Sequence, residues 1–140
     1  MKKKKVLIFY ASFGSGHLSA ARNVKEYIDA NYTDCETLLV DCIEYANKVF
    51  NKVSAVAFEE MGKSIGWAWK FMYYNAEDGA LSKVSHTANN LLSFKVSKLL
   101  AQVNPDIIIS THPFASHICS ILKKKGKINC KIATIITDYA

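Results

Sequence analysis

Three short polar clusters in this chain of 140 residues hold side chains able to move a proton or bind an oxygen-rich ligand. They are ASFGSGH, ending at His17, then Thr111-His112, and finally Thr137-Asp138. Ser12, Gly14, Ser15 and Gly16 belong to a glycine-rich turn, and glycine lets a backbone bend sharply and approach a ligand closely. A helix that starts behind such a turn offers free N–H groups and the positive end of its dipole to an anion. The same spacing also serves a tight turn that binds nothing. Counted from Gly14, the third glycine position of a G-x-G-x-x-G fingerprint is occupied by Ser19, and no complete G-x-x-x-x-G-K-[ST] is present, Gly62-Lys63-Ser64 having Ala57 where the first glycine would stand, so a P-loop is excluded.

His17 reads as a general base or as a histidine that only hydrogen-bonds the turn. His112 has two comparable readings, ligand contact or stiffening of its loop. His86 and His117 fall within helix-patterned stretches and are assigned no chemistry. Asp138 suits a hydroxyl ligand or the orientation of a base, and equally the N-cap of a following helix. Asp41, after a second strand, would suit a ribose if the ligand were a nucleotide. The four cysteines, Cys35, Cys42, Cys119 and Cys130, contain no CxxC pair and no metal-ligand spacing with the four histidines, so no metal is expected.

These clusters need a scaffold that brings them together. Val6 to Ala11 is a continuous apolar run of strand length, the pattern of a strand covered on both faces in a parallel sheet. Ala21, Val24 and Ile28 then recur at helical spacing, predicting a helix from about Leu18 to Asn31. Thr37 to Val40 is a second strand, and a long amphipathic helix carrying Val84, Ala88, Leu91, Leu92, Leu99 and Val103 stops at Asn104-Pro105. Asp106 to Ser110 is a third strand, a helix beginning near Pro113 turns Phe114, Ile118, Ile121 and Leu122 inward, and Ile132 to Ile136 is a fourth strand. Alternating strands and helices predict an α/β fold, a Rossmann-like doubly wound parallel sheet. Ligands of such sheets bind beyond the carboxyl ends of the strands, where all three polar clusters fall.

Between Cys42 and Tyr74 there is no strand signal. Phe50, Phe58, Trp67, Trp69, Phe71, Tyr73 and Tyr74 alternate there with Lys48, Lys52, Lys63 and Lys70. One helical stripe cannot bury so many rings, so some are expected to face a membrane or a dimer partner, the membrane being favoured. The formal charge is +6, of which Lys2 to Lys5 supply four, leaving a weak footprint for nucleic acid; Lys123, Lys124, Lys125, Lys127 and Lys131 form a second cluster that meets anionic lipid or simply solvates a face. The apolar run after Lys5 is too short for a signal sequence or a membrane span. A cytoplasmic protein follows, with any membrane contact peripheral and at the inner face of the cell membrane.

The runs ASFGSGHLSAARNVKEYI, NPDIIISTHPFAS and IATIITDYA, in this order and spacing, resemble the N-terminal domain of the monogalactosyldiacylglycerol synthases and the bacterial processive diacylglycerol glucosyltransferases. The resemblance covers essentially the whole chain, and a more distant one extends to the lipid-linked N-acetylglucosaminyltransferase of peptidoglycan synthesis. It implies a GT-B enzyme of two Rossmann-like domains and metal-independent, inverting transfer of glucose or galactose from a UDP-sugar to diacylglycerol. Residues 1–140 would be the N-terminal acceptor- and membrane-binding domain, inactive alone, with the UDP-sugar-binding domain outside the chain. That expectation agrees with a sequence that stops at Tyr139-Ala140 directly after a strand. The resemblance makes His17 the base and sets Gly14, Ser15 and Gly16 near the donor diphosphate; the strand-end rim that also carries Ser12, Thr111, His112 and Asp138 then becomes the acceptor or donor rim. Phe58, Trp67, Trp69, Lys70, Phe71, Tyr73 and Tyr74 become lipid contacts on an anionic membrane. Without the resemblance, a nucleotide- or phosphate-binding module of another enzyme and a non-enzymatic interaction domain remain open.

Overall fold

Apolar side chains of VLIF, residues 6–9, are buried on both faces of one strand, and the rest of the fold follows from covering them. The structure, a computed structural model, describes residues 2–12, 15–42, 44–45 and 93–137. In chain order these form β1 (Lys4–Tyr10), α1 (Ser15–Asn31) and β2 (Cys35–Asp41), then a helical stretch over residues 93–103 called α2, then β3 (Ile107–Ser110), α3 (Pro113–Lys124) and β4 (Lys131–Thr134). All pairings are parallel and the strand order is β2-β1-β3-β4. β1 is thus an inner strand, as its uninterrupted apolar run requires.

Side chains alternate across a strand, so β1 feeds two cores. Leu7 and Phe9 pack with Val96 and Leu100 of α2, Ile108 of β3, and Ala115, Ile118, Cys119 and Leu122 of α3. Val6 and Ile8 pack on the opposite face with Ala21 of α1, joined by half-buried Val24, Ile28, Leu39 and Ile109. A sheet with helices on both faces is the doubly wound arrangement expected from the alternation of elements.

Local chemistry sets the ends. Pro113 takes the first position of α3, where its missing N–H has no helical partner to lose, and His112 caps that helix in an extended conformation. α3 ends on Gly126, whose φ of 67° is left-handed; the Gly126 and Lys127 N–H groups close back on the Lys123 and Leu122 carbonyls. Asn104 ends α2 with a φ of 49°, donating its N–H to the Leu100 carbonyl, before Pro105 prevents continuation.

Several expectations shift: β1 covers Lys4–Tyr10 rather than Val6 to Ala11, β3 starts at Ile107, and Val96 and Leu100, not Leu99 and Val103, are the buried apolar residues of α2. α1 begins at Ser15 rather than Leu18, so Ser15, Gly16 and His17 are its first turn and not loop; Gly16 takes helical geometry there, and the sharp bend expected of it is absent. β2 runs longer at both ends, because all of Cys35–Asp41 is in register with Lys4–Tyr10. β4 closes at Thr134, leaving Ile136 exposed beyond it. On α3, Ala115 and Cys119 complete the buried stripe with Ile118 and Leu122, while Phe114 and Ile121 are half-buried at its margins. Gly14, Asp138 and the aromatic segment with Phe58, Trp67, Trp69, Lys70, Phe71, Tyr73 and Tyr74 lie outside the described residues, as do Val84, Ala88, Leu91 and Leu92.

Candidate functional site

β1 leads to β2 on one side and neighbours β3 on the other, so the connections diverge at the carboxyl ends of β1 and β3, where doubly wound sheets open a crevice. His17, the third residue of α1, enters this position and is buried. Its Nδ1 stands 2.7 Å from the Thr111 carbonyl oxygen and 2.6 Å from Thr137 Oγ1. Thr111 follows β3: its N–H donates to the Phe9 carbonyl at 2.9 Å, extending the β1–β3 pairing, and its hydroxyl donates to the His17 carbonyl at 2.9 Å. Thr111 therefore holds the His17 backbone and ring together. A carbonyl oxygen can only accept, so the hydrogen between it and His17 belongs to Nδ1.

His112 lies edge-on to His17, with ring centroids 4.7 Å apart and planes at 76°. Its Nδ1 accepts the Phe114 N–H at 3.2 Å, so the loop-stiffening reading of this histidine describes what its Nδ1 does. Ser110 Oγ, completely buried, donates to the His112 carbonyl at 2.7 Å and fixes the same turn. Two imidazoles and two threonines from three separate stretches of chain thus share one corner of the rim.

A second corner lies at the ends of β1 and β2. The Ser12 hydroxyl donates to Asp41 Oδ2, while Asp41 Oδ1 accepts the Glu44 N–H at 3.0 Å. Both carboxylate oxygens take part in holding this corner of the chain. Burial, and then the Asp41 and Glu44 carboxylates, push the neighbouring Tyr10 phenol above its ordinary range and keep it protonated.

Ser15 and Gly16 are exposed in the first turn of α1, and among the described residues nothing beyond the neighbouring backbone lies within 4 Å of where a Gly16 Cβ would stand. His117 is exposed on α3. Among the described residues there is no group of three or more His, Cys, Asp or Glu side chains placed to hold a metal ion, and no helix long and apolar enough to cross a membrane. Thr137 falls on the rim by sequence reasoning but receives no role there. Its hydroxyl was overshadowed by the carboxylate beside it, and the end of a strand at the rim is the signal that points to it.

A parallel sheet layered between helices, with a buried histidine at the divergence of its strand connections, defines an α/β domain of the Rossmann-like class. The sequence profile of monogalactosyldiacylglycerol (MGDG) synthase matches residues 17–140, and the chain belongs to that family. It is 31% identical to a probable chloroplastic monogalactosyldiacylglycerol synthase of Glycine max over 99% of this chain and 27% of the relative. It is 29% identical to a processive diacylglycerol beta-glucosyltransferase of Staphylococcus haemolyticus over 99% of this chain and 34% of the relative. The chloroplastic monogalactosyldiacylglycerol synthase of Spinacia oleracea is 26% identical over 98% of this chain and 27% of its own length. The chain thus spans about a third, or less, of the curated relatives it matches. No solved structure matches.

Proposed function

We propose that this chain is the acceptor- and membrane-binding N-terminal domain of a glycolipid synthase that transfers glucose or galactose from a UDP-sugar to diacylglycerol with inversion. The observation that carries the reading is the burial of His17 on the rim with its Nδ1 on the Thr111 carbonyl, in a family whose named members make such lipids. With Nδ1 protonated, Nε2 is the atom that takes the proton of the diacylglycerol hydroxyl. The oxygen then forms a bond to the anomeric carbon from the face opposite UDP, the bond to the diphosphate oxygen breaks, and that oxygen leaves with the electron pair. Gly14, Ser15 and Gly16 border the donor diphosphate, helped by the N-terminus of α1, with Ser12, Thr111, His112 and Asp138 along the rest of the rim. The aromatic segment from Phe58 to Tyr74 receives the lipid at the inner face of the cell membrane. The partner domain that holds the UDP-sugar lies outside this chain, which alone is inactive; the roughly one-third coverage of the relatives supports that division.

The test is His17→Ala in the protein that carries both domains. General-base catalysis contributes about 10²- to 10⁴-fold, so kcat falls by that order with folding retained. Unchanged kcat would refute the assignment of the base.

A further inference from the structure

Two acceptors meet at one nitrogen of His17, and they differ in what they permit. The Thr111 carbonyl, 2.7 Å from Nδ1, tolerates only a hydrogen pointing at it. The Thr137 hydroxyl, 2.6 Å from the same Nδ1, can accept that hydrogen or donate its own. A second hydrogen bond resolves the choice: Thr137 Oγ1 lies 3.3 Å from the Thr111 carbonyl and donates to it. With its hydrogen committed there, Thr137 turns a lone pair toward Nδ1–H. In the opposite tautomer the bare Nδ1 would face the carbonyl lone pairs at 2.7 Å, the short end of the hydrogen-bonding range, with no hydrogen between them.

We propose that Thr137 is a positioning residue for His17, acting with the main-chain carbonyl of Thr111 to hold the imidazole as its Nδ1–H tautomer with the lone pair on Nε2. The arrangement does with a hydroxyl and a carbonyl what a carboxylate does in a catalytic triad, fixing tautomer and ring orientation, but without adding a negative charge. It also ties three stretches of the fold at one point. His17 comes from α1, Thr111 from the end of β3, and Thr137 from the segment after β4, which is anchored by the Ile135 N–H donating to the Ser110 carbonyl at 2.8 Å. A threonine that only stapled this segment to the sheet would have no effect on which ring nitrogen carries the proton.

The role of the tautomer in transfer rests on the function proposed above; the tautomer itself does not, and the experiment reads it directly. Side-chain ¹⁵N NMR of this chain, with the histidines neutral, is expected to show His17 with a protonated Nδ1 and a bare Nε2. Imidazole left to itself favours the other tautomer. Thr137→Val removes the hydroxyl that holds the ring against the Thr111 carbonyl; the ring is then free to turn off that carbonyl, and a single His17 tautomer is expected to become a mixture, while Thr137→Ser keeps the wild-type spectrum; thermal melting confirms that each variant is folded. Wild-type His17 protonated at Nε2 overturns the proposal without any variant. A folded Thr137→Val with the wild-type tautomer intact also overturns it, reducing Thr137 to a staple. In the two-domain protein, loss of the lock is expected to lower kcat about tenfold with KM unchanged. If Thr137→Val releases the tautomer while His17→Ala leaves transfer intact, the lock stands and the catalytic reading of His17 falls.

Discussion

At the start of α3, His112 accepts the Phe114 N–H through Nδ1, a position where serine, threonine, asparagine and aspartate are the usual caps. The imidazole does this work from an extended backbone while its ring stands against that of His17. The two jobs separate by substitution. His112→Ala is expected to cost about 1 kcal/mol of unfolding free energy in urea titration, the usual price of a lost N-cap. His112→Asn should recover most of it, because an asparagine oxygen can take the same N–H. Equal losses in the two variants would mean that packing on His17, and not the cap, holds this turn. Sequence reading marks both histidines as candidates, since imidazoles after strands are conspicuous. It cannot assign ring nitrogens, because the partners of His17 arrive from Thr111 and Thr137, far away along the chain.

α3 shows what an element adds to its residues. Its buried stripe of Ala115, Ile118, Cys119 and Leu122 packs on Leu7 and Phe9 of β1, and burial raises the Cys119 thiol from 9.0 to about 12. The buried thiol stays protonated at pH values where the same group in the unfolded chain has ionised. The unfolded state then binds fewer protons than the folded one, so stability is unaffected below the unfolded value and falls as pH rises above it. The Cys119 contribution has a limiting slope of about 1.4 kcal/mol per pH unit. Cys119→Ala is expected to flatten the loss measured by urea titration between neutral pH and about pH 11, whatever it costs at neutral pH through lost packing. An unchanged slope would exclude this thiol as a source of alkaline sensitivity. Element boundaries were less legible than element types. Glycines at 14 and 16 suggested a loop up to Leu18, yet α1 starts at Ser15, because glycine in a first turn adopts helical angles without steric cost. β2 extends to Cys35 because its ladder with β1 continues, which depends on the partner strand and not on the local hydropathy of β2.

At the scale of the molecule, two groups of lysines among the described residues share one end of the sheet. In a parallel sheet the strands begin at one end and the helices of that layer finish there. Lys2 to Lys5 at the start of β1, Lys123 to Lys125 closing α3, and Lys127 and Lys131 at the start of β4 therefore gather opposite the rim that holds His17. These lysines and the chemistry of the rim cannot face one bilayer head-on together. The proposed lipid contact thus rests on the aromatic segment. The chain is expected to sediment with anionic liposomes, and Trp67→Ala with Trp69→Ala to remove the part that survives high salt, since apolar insertion is not screened whereas lysine attraction is. No sedimentation of the wild type, or salt-resistant binding that survives both substitutions, would sink that assignment. Repeating apolar runs and glycine punctuation were enough to determine an α/β sheet, the inner place of its first strand and the strand-end rim that His17, Thr111, His112 and Thr137 share, because hydrophobic periodicity and strand polarity are carried by neighbouring residues. The grip of Thr111 and Thr137 on His17, the engagement of Asp41 by Ser12, and the separation of the lysines from the rim were decided only by tertiary structure. Each depends on which strand ends stand side by side, and that is set by packing across the sheet between residues distant in the chain.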